Sequence, residues 1–125
     1  MKKIFLSLIL CFIGTLTIFA EEISSIDCTG TWIYLYNAKG KKYKTLSVSS
    51  AGTVVGYSST FFVTVSSSGT WIHLYNADGR KITTLSSSNV GDVIGVAGDT
   101  FTSRKGSWIY TWSKEGKKLN TRSAN

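Results

Sequence analysis

Few side chains in the sequence could carry out acid–base or nucleophilic chemistry. His73 is the only histidine among the 125 residues, and Cys28 would be the only thiol left if the first twenty residues were removed. A catalytic triad or a zinc site needs a histidine or a thiolate together with partners of the right type. We therefore expect His73 to be a hydrogen-bonded packing residue and Cys28 to be a small buried side chain.

The carboxylates form no repeated pair. Hydrolysis of a glycosidic bond needs two carboxylates at a defined separation, yet Asp92 and Asp99 align with Thr53 and Thr60 of the preceding repeat. The remaining acids, Asp27, Asp78 and Glu115, are also unmatched. The sequence therefore predicts that the protein is not an enzyme. It assigns no catalytic, metal or cofactor-binding residue, predicts no cofactor and leaves the ligand-binding residues unknown.

A seventeen-residue phrase occurs three times. "TWIYLYNAKGKKYKTLS" spans 31–47, and close copies span 70–86 and 107–123. Its tryptophans, Trp32, Trp71 and Trp108, are 39 and 37 residues apart. A second block, "GTVVGYSSTFF", returns as "GDVIGVAGDTF". Such a period indicates stacked structural repeats, with units at about 23–50, 51–89 and 90–125.

Each repeat reads as short strands joined by turns. Residues such as "TVVGYS", "FFVTVS", "WIYLY" and "KYKTLS" favour strands, and "NAKG", "NADG" and "SKEG" place a turn former first and glycine fourth. This pattern predicts hairpins closed by a type I turn with a glycine bulge. The serine-rich stretches are expected to be loops. No helical periodicity follows residue 20, so the fold class is all-β.

The strand "WIYLY" is apolar on both faces, since Trp32, Tyr34 and Tyr36 alternate with Ile33 and Leu35. Its sheet should therefore lie between two neighbouring sheets. In repeat length, strand number, Trp-led third strand and glycine hairpin, residues 23–123 resemble β-propeller repeat proteins, without WD40 or kelch marks. The resemblance implies an incomplete β-propeller of about three four-stranded antiparallel blades, with Gly56 and Gly95 on innermost strands. A β-trefoil-like fold is the alternative.

The strand count predicts open ends. The first repeat lacks its innermost strand, which gives three, four and four strands, whereas closed propellers need at least four blades. Each terminal blade is then expected to leave an apolar face uncovered. Self-association into a ring would cover these faces, and the other explanation is a chain truncated from a longer propeller.

The first twenty residues read as a signal peptide. Lys2 and Lys3 precede an apolar stretch that ends at Ala20, which predicts export to the periplasm or the outside of a bacterial cell after cleavage. A retained anchor or lipidation at Cys11 is the alternative. The domain would then span 21–125, with no stable membrane insertion.

Two features invite a binding hypothesis. The tryptophan rings could stack on sugars, but their identical position in each repeat favours core packing. Basic residues cluster in each final hairpin, where lysines protect a sheet edge from aggregation, and no nucleic-acid role is expected.

We predict a non-catalytic binding or assembly scaffold whose partner is a protein or a second copy. A small carbohydrate-binding lectin, with a glycan as partner, is the alternative.

Overall fold

The computed structural model describes residues 21–125, and the predicted signal peptide at 1–20 lies outside this range. Eleven strands form three antiparallel sheets of three, four and four strands, which confirms the all-β class and the strand count. The first sheet contains β1 (Ser25–Cys28), β2 (Trp32–Tyr36) and β3 (Lys42–Ser47). The second contains β4 (Thr53–Tyr57), β5 (Phe61–Val65), β6 (Trp71–Asn76) and β7 (Lys81–Ser86). The third contains β8 (Asp92–Ala97), β9 (Thr100–Lys105), β10 (Trp108–Ser113) and β11 (Lys118–Ser123).

The outer hairpin of every sheet has the predicted turn. Gly40, Gly79 and Gly116 have φ values of 78°, 87° and 89°, a region that glycine enters without steric cost. The strand register shifts just before each turn, for example between Leu35 and Tyr36. The turn chemistry of the repeat therefore fixes both the hairpin and its bulge.

Two serine-rich connections are single helical turns, not the predicted loops. They are α1 (Val48–Ala51) and α2 (Ser87–Val90), and each carries the chain from one sheet to the next. Ser47 and Ser86 are their N-caps, whose side-chain oxygens accept hydrogen bonds from the backbone two residues on. Serine is a preferred N-cap residue because its hydroxyl satisfies a free N–H of the first turn.

The sheets stack face to face and enclose two cores. We call the side of each sheet that carries Ile33 and Leu35, or their equivalents, the aliphatic face, and the opposite side the aromatic face. The aliphatic face of one sheet packs on the aromatic face of the next. The first core contains Ile23, Ile33, Leu35, Ala51, Phe62, Tyr75 and Ala77. The second contains Phe61, Val63, Ile72, Leu74, Val90, Phe101 and Trp112.

Only the middle sheet is covered on both sides. The first sheet has no sheet over its aromatic face, and the third has none over its aliphatic face. The predicted sandwiching of every Trp-led strand therefore holds for β6 alone. Within 21–125 no helix is long and apolar enough to cross a membrane.

The three sheets remain separate, and the second and third sheets meet at their inner strands. In the part of the chain that the structure describes, strands pair only within their own sheet and in sequence order, so the β-trefoil alternative is wrong. Strands β4 and β8 are neighbours, and a Cβ built on Gly56 would lie 2.6 Å from Val96 Cγ2. The backbone at Gly56 is therefore crowded by β8. At the equivalent Gly95, a Cβ would meet nothing within 4 Å among residues 21–125.

Candidate functional site

The three repeated tryptophans lie at the surface, so the prediction of core packing is wrong. Trp32, Trp71 and Trp108 are 45%, 48% and 50% exposed, whereas Trp112 is 6% exposed. All four lie on aromatic faces, but the first three occupy the start of the third strand and Trp112 lies near its end. On the aromatic faces of β6 and β10 the preceding sheet covers only the far end of the strand, where Tyr75 and Trp112 are buried.

The exposure of these tryptophans does not depend on a neighbouring sheet. Trp32 belongs to the first sheet, which has no sheet over its aromatic face, yet it is as exposed as Trp71 and Trp108. The second and third sheets each have a preceding sheet, and that sheet therefore does not cover Trp71 or Trp108. Each tryptophan lies at the end of its strand opposite the glycine turn of its sheet.

Each tryptophan has the same neighbours on its own sheet. On the aromatic face it is followed by a second ring two residues later. The last strand of the sheet places a serine opposite the tryptophan and a threonine opposite the second ring. A lysine of the same strand lies near the bulge. We call each set a tryptophan patch. The first patch is Trp32, Tyr34, Lys42, Thr45 and Ser47; the second is Trp71, His73, Lys81, Thr84 and Ser86; the third is Trp108, Tyr110, Lys118, Thr121 and Ser123.

The patches combine aromatic, hydroxyl and cationic groups. The ammonium group of Lys42 lies 4.3 Å from the centre of the Tyr34 ring, and that of Lys118 lies 4.2 Å from the centre of the Tyr110 ring. Such contacts hold a lysine charge beside the patch. In the first and third patches the lysine covers the second ring, so the tryptophan is the aromatic surface left open to a ligand.

Hydroxyl groups line the side of the patch next to the tryptophan. Ser47 and Ser49 share a hydrogen bond of 2.7 Å between their Oγ atoms, and Ser86 and Ser88 share one of 2.6 Å. A hydroxyl has one donor and two acceptor positions, so each serine keeps further capacity. These groups can bind a polar ligand beside the indole ring.

His73 is part of the second patch and contacts two side chains of its own sheet. Its Nδ1 atom lies 3.0 Å from Thr84 Oγ1, and its ring meets Tyr75 edge-on at 6.2 Å. The predicted hydrogen-bonded packing role is therefore confirmed. Burial, and then the positive charge of Lys81, lower the pKa of His73, which favours the neutral ring.

Cys28 is exposed at the end of β1, so the expectation of a buried thiol is wrong. Partial desolvation, followed by the charge of Asp27, raises the pKa of the Cys28 thiol. A raised pKa disfavours the thiolate that acts as nucleophile.

One of the acids that the sequence singled out, Asp99, contributes to structure at the hairpin end of the stack. Asp99 accepts a hydrogen bond of 2.7 Å from Thr60 Oγ1 and forms a 3.5 Å ion pair with Lys114. These two contacts, in that order, lower the pKa of the exposed Asp99 carboxyl. Thr60 belongs to the second sheet and Asp99 to the third, so the contact joins two sheets.

An open groove of about 760 Å³ runs along the same end. Turn residues from all three sheets line it, among them Asn37, Asp78 and Lys114. His73 and the tryptophan patches do not line it. Within 21–125 there is no group of three histidine, cysteine or acidic side chains that could hold a metal ion.

Comparison of the sequence with protein-family models and with curated proteins finds no match. The site must therefore be interpreted from its own chemistry. Sequence reasoning found the tryptophans but assigned them to the core, and it did not group them with the threonines and serines of the last strand. The signal was present, because these hydroxyl residues recur at the same positions in all three copies of the phrase.

Proposed function

We propose that the protein is an exported, non-catalytic binding scaffold of the β-propeller type, which presents the three tryptophan patches to a ligand. The face-to-face stacking, the sequential strand order and the contact between inner strands β4 and β8 support the propeller type. Export rests on the predicted signal peptide.

The observation that carries the proposal is the recurrence of an exposed set of side chains that packing does not require. The isoleucine that follows the tryptophan is kept in all three repeats, but two other core positions of the strand vary: Leu35 and Leu74 correspond to Thr111, and Tyr36 and Tyr75 correspond to Trp112. The half-exposed tryptophan is present in all three. Exposed aromatic side chains that cluster with polar groups mark binding surfaces, so a binding role explains a pattern that folding leaves unexplained.

Replacing the three patch tryptophans tests this function without knowledge of the ligand. We expect the triple variant W32A/W71A/W108A to remain folded and to lose less than about 2 kcal/mol of unfolding free energy, because surface side chains contribute little to stability. Urea unfolding followed by circular dichroism measures this.

The matched control is W112A, which removes the buried fourth tryptophan and its 2.9 Å hydrogen bond from Nε1 to Ser103 Oγ. This variant should lose about 3–5 kcal/mol, the usual cost of truncating a buried aromatic side chain. If the triple variant were destabilised as strongly as W112A, the tryptophans would serve folding and the proposed function would be lost.

Self-association is the second candidate function, and the open aromatic face of the first sheet favours it. Tyr36 occupies the position of Tyr75 and Trp112, which the preceding sheet buries, but it remains partly exposed. A second copy that packs the aromatic face of its own first sheet on this face would bury the open faces of both copies. A solution mass of two chains by light scattering is expected for this candidate, and a mass of one chain would exclude it.

A further inference from the structure

We propose that the three tryptophan patches bind one chain of an acidic polysaccharide, with each patch holding one sugar through its indole ring and one acidic group through its lysine. This inference rests on the proposed function and names its ligand class. It is carried by the chemistry of the patch and by its threefold repetition.

The indole ring and the hydroxyl groups select a sugar. A sugar ring has an apolar side of C–H groups, which stacks on an aromatic surface, and a rim of hydroxyls that need hydrogen-bond partners. Each patch supplies both: half of a tryptophan side chain open to solvent, and a serine directly opposite it on the next strand. A purely apolar partner would leave these hydroxyls without bonds, which costs free energy when they are buried.

The lysines select an acidic sugar. Lys42, Lys81 and Lys118 recur at the same position of each repeat, and aromatic rings hold two of them beside the patch. Residues 21–125 contain twelve Lys and Arg against seven Asp and Glu. A positive surface attracts a polyanion over distances comparable with the Debye length.

The repetition of the patch favours a polymer over a free sugar. Three equivalent sites on one rigid stack bind a chain of repeating units far more tightly than one site binds one unit, since the second and third contacts are intramolecular. Single-stranded nucleic acid is also an aromatic-binding polyanion. In the first and third patches the lysine contact over Tyr34 and Tyr110 leaves the tryptophan as the open ring, beside several hydroxyls, which suits a sugar better than a run of stacked bases.

Titration of the purified protein with polygalacturonate and chondroitin sulfate tests the inference, with neutral dextran and oligothymidylate as comparison ligands. Calorimetry and tryptophan emission report binding, and the buried Trp112 gives a constant background in emission. We expect binding to the two acidic polysaccharides and a weaker response to dextran. The W32A/W71A/W108A variant should bind at least ~tenfold more weakly, which is about 1.4 kcal/mol.

A pair of lysine variants separates the patch from general electrostatic attraction. K42Q/K81Q/K118Q removes the patch lysines, and K41Q/R80Q/K117Q removes the same number of charges one residue earlier in each repeat. We expect the first variant to lose ~tenfold in affinity and most of the salt dependence, and the second to lose much less.

Each other outcome overturns the inference. If neither acidic polysaccharide bound to the protein, the inference would be overturned. If the triple tryptophan variant were nevertheless stable, the proposed function would survive that result. Equal losses in the two lysine variants would mean non-specific attraction. Tighter binding of oligothymidylate that depends on the tryptophans would assign the patches to nucleic acid.

Discussion

At the scale of single residues, identical side chains have different roles according to their place on the strand. Trp108 and Trp112 lie on the same face of β10, four residues apart, but only Trp112 is covered by the second sheet. Its ring stacks parallel to Phe101 at 6.0 Å, and its N–H donates to the buried Ser103. Trp108 makes neither contact, which leaves its ring free for a ligand.

His73 provides a prediction of pH dependence. Its pKa is lowered in the folded state, so the unfolded chain binds a proton more readily, and stability must fall as the pH drops below the unfolded value of about 6.5. The variant H73Y carries the ring that Tyr34 and Tyr110 provide in the other repeats. We expect its melting temperature to exceed that of the natural protein by a margin that grows between about pH 7.5 and pH 5.5.

Thermal unfolding of both proteins across that range measures the difference, and effects common to both chains cancel. A difference in melting temperature that stays constant across the pH range would show that His73 has the same proton affinity in the folded and unfolded states. Lys81 is unchanged in the variant, and the effect of its charge on the pKa of His73 is part of the measured difference.

At the scale of elements, the crowding between inner strands gives a matched pair of variants. G56A places a methyl group against Val96, a side chain with little rotamer freedom in a strand. Overpacking of this kind costs about 1–3 kcal/mol. G95A occupies the equivalent position on β8 with open space around it, so it should be neutral or stabilising by about 0.5 kcal/mol.

Denaturant unfolding of the two glycine variants distinguishes the positions. Equal stabilities would mean that β4 and β8 do not approach as closely as the structure shows. The comparison therefore also tests the close contact between the inner strands of the second and third sheets.

The strands and turns could be predicted because their causes are local. Alternation of apolar residues sets each strand, and the glycine at the fourth turn position closes each hairpin. The two helical turns could not be predicted from periodicity, since four residues are too few to show one, although serine at the N-cap is a recognised signal.

The surface position of the tryptophans depends on a non-local cause. Alternation predicts which face of a strand a side chain occupies, and Trp32 is on the predicted face. How far the neighbouring sheet extends along that face is determined by the packing of sheets, which the strand's own residues do not encode. The same limit applies to Cys28, which is exposed at the end of β1, an edge strand of the first sheet.

At the scale of the whole molecule, the two open faces differ in chemistry. The expectation that both terminal sheets leave an apolar face is wrong for the third sheet. Its outer face carries Thr102, Arg104, Thr111 and Arg122, where the second sheet has Val63, Val65, Leu74 and Leu85. Terminal repeats of stacked proteins need such a polar outer face to remain soluble. The third sheet therefore acts as a cap, and a ring closed through it is disfavoured.

Restoring the apolar residues should convert the cap into an interface. The variant T102V/R104V/T111L/R122L gives the third sheet the side chains of the second, and the resulting apolar patch should drive association because burying apolar surface is favourable. We expect light scattering to show a larger mass than for the natural protein, increasing with concentration. The control T102S/R104K/T111S/R122K keeps the face polar and should leave the mass unchanged. If the natural protein already formed a ring of several chains, and this ring persisted in the control, the third sheet would have a partner and its polar residues would belong to an interface.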